Sequence, residues 1–413
     1  MLPEGWSRSR LGDLVADVES GVSVNGLDRA AGQGEYGVLK ISAVTSGVFD
    51  PTQNKLIRAD EVSRAKSNPR ADRIIVSRCN TAELLGASAY IEQDHRDLFL
   101  PDKLWQLQPT STRPVHMRWL ANWLANAPTR AEISALATGS SGSMKNISKE
   151  QFLNLAVTVP PLDEQRRIAR ILTAWDDAIV VAGALWAKRM EQARLVRETL
   201  IGTALRHARV PLADVADVRT GLAKGKTGQR DAIKVPYLRV ANVQDGRLDL
   251  SEVKLIEVAR EHVSRYALQA GDVLMTEGGD FDKLGRGTVW SGEIDPCLHQ
   301  NHVFAVRPKL GRVLPGFIAA MAASDHGRSY FLSCAKRSTN LASINSTQLK
   351  ALPIPLVPIA EQERIVAIVD AAMQVAHGTK EMFDRLVQEK AALMADLLTG
   401  KRRVHLEREG VAA

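Results

Sequence analysis

The chain has 413 residues and only three cysteines, Cys79, Cys297 and Cys334, widely spaced and with no Cys-x-x-Cys pair. That argues against a disulfide framework or a cysteine-based zinc site and fits a reducing cytoplasm. No apolar run approaches the ~18 residues that a membrane-spanning helix needs. The opening Met1-Leu2-Pro3-Glu4-Gly5-Trp6 has neither the basic start nor the apolar core of a signal peptide. No glycine-rich cofactor loop is present, and no Asn/Asp-Pro-Pro-Tyr tetrapeptide of the adenine methyltransferases. Gly221-Leu222-Ala223-Lys224-Gly225-Lys226-Thr227 is one residue short of a P-loop, which needs four residues between its glycines for the amides to wrap phosphates. His299 and His302 have no acidic or cysteine partner at metal-ligand spacing, which favours ordinary polar contacts. Glu252-Val253-Lys254 resembles a nuclease fragment, but Pro101-Asp102 lies far upstream. The sequence therefore contains no complete catalytic constellation.

What it does contain is a repeat. Pro160-Pro161-Leu162-Asp163-Glu164-Gln165-Arg166-Arg167-Ile168 returns as Val357-Pro358-Ile359-Ala360-Glu361-Gln362-Glu363-Arg364-Ile365, 197 residues later. Repeats fix architecture, so this one governs the reading. Each copy opens a long helical pattern with a seven-residue seam. Ile365, Ala372, Thr379, Leu386 and Leu393 run beside Val369, Ala376, Phe383, Lys390 and Leu397. In the first copy Ile168, Trp175, Ala182, Arg189 and Val196 run beside Leu172, Ile179, Trp186, Ala193 and Leu200. A heptad seam of this length predicts two coiled-coil helices packed on each other, each spanning roughly 60 Å at 1.5 Å per residue. The alternative is two independent amphipathic helices, each lying on its own domain.

The segments before the helices echo one another. Leu14–Val18 is matched by Asp214–Val218, Gly21 by Gly221, Gly37–Ile41 by Pro236–Val240, and Leu104–Pro109 by Val303–Pro308. Helical spacing over His116–Leu136 is matched over Gly316–Phe331. A polar loop at Thr138–Ser148 is matched at Lys336–Asn345. Between these framework positions the copies diverge, as 44–72 does from 243–271 and 79–100 from 276–297. The order is globular, helix, globular, helix: 1–160, 161–206, 207–358 and 359–400, then a tail at 401–413. The tail, Lys401-Arg402-Arg403-Val404-His405-Leu406, resembles the lead-in at Arg206–Leu212. If the helices are antiparallel, the end of the chain returns to its beginning in a quasi-circular, two-fold arrangement. The fold class is α+β, two mixed modules in tandem with two long helices.

The net charge is +7, and residues 207–358 account for 20 basic against 15 acidic groups. This permits a polyanionic partner. Two modules with one skeleton and different faces suggest two targets. Met275–Gly287 is the most distinctive loop. Its glycines allow close backbone approach, and Asp280, Asp282, Lys283 and Arg286 are residue types that read base edges. Lys336, Arg337, Ser338, Thr339 and Asn340, with Ser140, Lys145 and Asn146 in the first copy, suit phosphate contacts. Lys224 and Lys226 of the glycine-rich loop, and Lys40 and Arg239 at matched strand ends, complete the candidate DNA-binding set. For each of these, the alternative is a solvated or internally paired loop residue.

The duplicated Glu-Gln helix starts, the Gly278-Gly279-Asp280-Phe281-Asp282-Lys283-Leu284-Gly285-Arg286-Gly287 loop and Leu397-Leu398-Thr399-Gly400-Lys401 resemble the specificity (S) subunit of type I restriction-modification systems over nearly the whole chain. The first module departs from the pattern, with Arg78-Cys79-Asn80-Thr81-Ala82-Glu83 where the second has its Gly-Gly-Asp-Phe-Asp loop. The resemblance implies two target-recognition domains reading the halves of a split double-stranded DNA site, with antiparallel helices setting the gap. It implies two methyltransferase subunits that bring S-adenosylmethionine, flip out and methylate adenine N6, and motor-endonuclease subunits that use ATP and Mg. This subunit would then hold no cofactor and perform no chemistry of its own. Arg166, Arg170, Glu363 and Arg364 at the helix starts are candidates for the methyltransferase dock. Other readings are the same fold in a different phage-defence assembly, a lone nuclease or methyltransferase, or a coiled-coil scaffold.

Overall fold

The computed structural model describes residues 2–138, 144–223, 231–279, 281, 284–337 and 342–404. The chain forms two compact units, Met1–Val181 with Met382–Ala413, and Ala182–Glu381. Each unit holds one globular module, part of the first long helix (Leu162–Ala204) and part of the second (Ile359–Thr399).

In the first unit the central sheet comprises β1 (Val15–Ser20), β2 (Arg73–Ser77), β3 (Ser88–Ile91) and β4 (Leu104–Pro109), in the order β1-β4-β2-β3 and antiparallel throughout. In the second, β5 (Ala216–Thr220), β6 (Val273–Thr276), β7 (Gly287–Val289) and β8 (Val303–Pro308) repeat it as β5-β8-β6-β7. Strands β2 and β6 are apolar on both faces because each sheet separates two cores. Ile74 and Val76 of β2 point to the helical side and Ile75 to the other. Val273 and Met275 of β6 do the same, with Leu274 opposite. The period of two thus survives inside a continuous apolar run, since alternate residues find different cores.

A smaller sheet is also repeated. Gly37–Leu39 lies antiparallel to Asn54–Ile57 and parallel to Leu98–Phe99. Ala232–Leu238 lies antiparallel to Lys254–Ala259 and parallel to Leu298–His299. The expected helix at His116–Leu136 is two, Met117–Ala125 and Ala127–Ala135, interrupted where Asn126 adopts extended backbone just before Pro128. Its counterpart likewise divides into Pro315–Ala323 and Asp325–Cys334, with the Ser324 hydroxyl accepting the Gly327 amide as a cap.

In each unit the long helices run antiparallel. In the first, Arg403 meets Glu164 and Lys390 meets Asp176 at 2.5 Å, so numbering rises on one side as it falls on the other. In the second, Glu361 lies 3.8 Å from His207, and the Lys380 ammonium stands 5.0 Å from the Trp186 ring centroid. The predicted seam residues Ile168, Leu172, Ala182, Ala193, Ile365, Val369, Ala376 and Leu397 are buried. The two charges in the seam have partners: Lys390 has Asp176, and Arg189 donates to Gln192.

The repeated Glu-Gln pair fastens helix to module. Gln165 is 1% exposed; its Oε1 accepts the His116 amide at 2.8 Å and its Nε2 donates to the Pro160 carbonyl at 2.9 Å. Gln362, equally buried, accepts the Leu314 amide at 2.9 Å and donates to the Val357 carbonyl at 2.8 Å. His116 and Leu314 are the N-cap residues of Met117–Ala125 and Pro315–Ala323. A carboxamide carries an acceptor oxygen and a donor nitrogen on one uncharged planar group, so it satisfies a buried N–H and a buried C=O together. Beside it Glu164 accepts from the Trp6 indole at 2.9 Å and takes both Arg403 Nε and Nη2, at 2.8 and 3.0 Å. The end of the second helix therefore closes on the start of the chain.

Replacing Gln165 or Gln362 by alanine leaves one amide and one carbonyl buried without partners. Each change should cost about 2–4 kcal/mol, read as a lower urea midpoint, whereas Glu363→Ala on the exposed face should stay within about 0.5 kcal/mol. A second expectation concerns pH. Burial lowers the pKa of His95, His116, His299 and His326 below the ordinary histidine value. The unfolded chain therefore binds these protons more readily. The stability they contribute is present above about pH 6.5 and is lost as pH falls. Urea unfolding at pH 7.5 and 5.5 should show the loss, and His299→Gln should reduce it.

Candidate nucleic-acid interface

Each unit also carries a small loop sheet at the end of an inner strand of its central sheet. In the first unit β2 runs on through Arg78 into Cys79–Asn80, which pairs with Lys145–Asn146. Asn146 also exchanges backbone hydrogen bonds with Thr138, joining the two ends of the polar loop. In the second unit β6 runs on through Glu277 into Gly278–Gly279, which pairs with Ala342–Ser343, itself paired with Lys336–Arg337. The fold thus brings Lys145 and Asn146 beside Cys79–Asn80, and the Lys336–Arg337 strand beside the start of the Met275–Gly287 loop. A Cβ on Gly278 would lie 2.3 Å from the Ala342 carbonyl oxygen, so this pairing requires glycine.

The remaining candidates fall into three groups. Ser140, Lys224, Lys226, Asp280, Asp282, Lys283, Ser338, Thr339 and Asn340 lie outside the described residues. Lys40 and Arg239 close matched strands as N-caps of short 3-10 turns. Arg239 lies 3.3 Å from Glu252, which Lys254 also approaches, so the Glu-Val-Lys fragment forms a small ion-pair cluster. Arg286 turns its Nη2 onto the Val243 carbonyl at 3.1 Å, holding the distinctive loop against the turn at 243–248. The glycine that opens the P-loop look-alike has a backbone reason: a Cβ on Gly221 would sit 2.1 Å from the His299 carbonyl oxygen.

The residues suspected of chemistry have structural contacts. His299 is buried with Nδ1 2.7 Å from the Val303 carbonyl, and His302 has Nδ1 2.5 Å from Glu277 Oε2. Burial, helped by the charge of Glu293, pushes the Cys297 thiol up to about 12, far from a reactive thiolate. Among the described residues no group of three or more His, Cys, Asp or Glu could hold a metal ion. Nor, among the described residues, is any helix long and apolar enough to cross a membrane.

Arg166, Arg170, Glu363 and Arg364 are exposed, on the faces opposite the buried Gln165, Ile168, Gln362 and Ile365. Arg166 pairs with Asp163 at 3.1 Å. Further along, the helices expose Val180, Val181, Met382 and Val387 in the first unit, and Leu185, Met190, Leu195, Ile368 and Val375 in the second. Sequence reading passed over both the glutamine clamps and these apolar positions. The signal for the clamps was a glutamine repeated beside a seam isoleucine. The exposed apolar residues carry no signal, because periodicity alone does not show which apolar positions a partner helix leaves uncovered.

Two modules of one skeleton, each joined to part of the paired long helices, define a tandem α+β fold. The family model of the type I restriction modification DNA specificity domain matches residues 3–182 and again 208–380, and the chain belongs to that family. It is similar to the type I restriction enzyme StySPI specificity subunit of Salmonella potsdam, 23% identical over 96% of this chain and 88% of that one. It is also similar to the EcoKI specificity subunit of Escherichia coli (strain K12), 22% identical over 81% of this chain and 74% of that one. A third relative, the putative MjaX specificity subunit of Methanocaldococcus jannaschii, is 27% identical over 46% of this chain, a match that spans under half (44%) of MjaX. The fold matches the solved S subunit from M. genitalium, with a TM-score of 0.57 at 16% identity over 96% and 97% of the two chains. It also matches a chain from a structure concerned with assembly and conformational transition of the type I R-M system, with a TM-score of 0.60 at 18% identity over 97% and 100%.

Gly278→Ala should separate the Gly278–Gly279 strand from Ala342 and destabilise the second unit by about 1–3 kcal/mol. Hydrogen exchange should show lost protection at the Ala342 amide.

Proposed function

We propose that this chain is the DNA-reading subunit of a type I restriction-modification complex in the cytoplasm. The modules at 1–160 and 207–358 each read one half of a bipartite site. Helices 161–206 and 359–400 set the gap between the halves, and the tail at 401–413 follows. The observation that carries this reading is the doubled loop sheet, one framework presenting different side chains twice. Two unlike faces on one skeleton suit an asymmetric target, and phosphate contacts from Lys145, Asn146, Lys336 and Arg337 suit positioning on the duplex.

The exposed apolar residues of the long helices, together with the exposed Arg166, Arg170, Glu363 and Arg364 at the helix starts, favour docking of two methyltransferase subunits. Those subunits bring S-adenosylmethionine and methylate adenine N6 on a flipped base, and motor-endonuclease subunits supply ATP-driven cleavage. This chain contributes address and geometry rather than chemistry.

The test is co-expression with the cognate methyltransferase subunit in a host free of other adenine methylation, followed by single-molecule sequencing. A single split motif, methylated only when this chain is present, is expected; assembly without methylation would point to a different effector. Reversing Arg166, Arg170, Glu363 and Arg364 together should abolish co-purification with the methyltransferase and leave the thermal unfolding of the chain unchanged. DNA affinity of the assembled complex should fall steeply between 50 and 200 mM salt, by roughly 10³-fold if about six phosphates are neutralised.

A further inference from the structure

The two modules place opposite chemistry at one framework position. Arg78 and Glu277 are each the single residue between an inner strand of the central sheet and the loop-sheet strand. Their backbones are held identically. The Arg78 amide donates to the Lys103 carbonyl and its carbonyl accepts the Ile147 amide, both at 3.1 Å. The Glu277 amide donates to the His302 carbonyl at 2.9 Å, and its carbonyl accepts the Ile344 amide at 2.8 Å. The flanking pairs correspond as well, Lys103 with His302 and Ile147 with Ile344.

Both side chains are anchored along one edge. Arg78 Nε donates to the Asp102 carbonyl at 2.7 Å, and among the described residues its Nη atoms make no hydrogen bond. Glu277 Oε2 is held by His302 Nδ1 at 2.5 Å, and among the described residues its Oε1 has no partner. Glu277 is 30% exposed at its side chain and Arg78 is half-buried. One edge fixed and the other open is the arrangement of a preorganised reader, which loses little rotamer freedom on binding. A guanidinium fork matches the O6 and N7 acceptors of guanine, whereas a carboxylate oxygen matches the N4 amine of cytosine.

We infer that Arg78 and Glu277 are equivalent base-reading residues of the two modules, Arg78 selecting guanine in one half-site and Glu277 selecting cytosine in the other. Lys103 and His302 flank them, with His302 a positioning residue that aims the carboxylate. This rests on the modules reading the two halves of a DNA site.

The experiment compares the methylation motif of the wild-type complex with those of R78Q and E277Q, each co-expressed with the methyltransferase subunit. Each variant carries its own folding control, because the untouched module must still read its half-site. E277Q is expected to lose its cytosine at one position of one half-site by at least tenfold and to gain adenine there, as glutamine pairs with adenine N6 and N7. R78Q is expected to lose a guanine in the other half-site only. Purified complexes are also competed with duplexes changed one base pair at a time, which gives a readout where methylation itself is lost. An unchanged motif and unchanged competition would overturn the assignment, as would a change in both half-sites. A wild-type complex with no split motif would instead overturn the underlying reading of function.

Discussion

A buried carboxamide determines how the long helices leave the modules. Gln165 and Gln362 each satisfy an amide that caps a module helix and a carbonyl from the turn that starts a long helix. Burial excludes water as a substitute partner, so the cost of breaking either contact is the full desolvation of the groups left behind. Helix and module therefore move together within each unit. The adjacent Glu164 ties in Trp6 and Arg403, so the two ends of the chain are joined to the same helix start.

The modules separate framework from variation by the same logic. Each central sheet is buried on both faces, and strand order is the same in both copies because the alternation of Ile74, Ile75 and Val76, or of Val273, Leu274 and Met275, must serve two cores at once. A slip of one residue would exchange the two faces, so register is strongly specified. The loop sheets hang from the ends of these strands, where side chains are half-exposed and change without disturbing a core. Arg78 and Glu277 occupy that boundary, with backbones fixed by the framework and side chains left to differ.

Much of this architecture was legible in the sequence. The heptad seam identified the helices, and its two charged positions take part in an ion pair at Lys390 and a hydrogen bond at Arg189. The candidate interface was legible only by residue type. Arg239 and Arg286 are basic residues in promising loops, yet their guanidinium groups face Glu252 and the Val243 carbonyl. No pattern along the chain distinguishes an arginine that closes its own loop from one that reaches outward.

By itself the sequence determined the duplication and the long helices, because both are written as repetition along the chain. The tertiary structure decided which residues meet: Gln165 with His116, Arg403 with Glu164, Lys145 with Asn80, Glu277 with His302. Those pairs are separated by tens to hundreds of positions, and hydrogen bonds of a few ångströms depend on where the backbone returns rather than on what precedes or follows each residue.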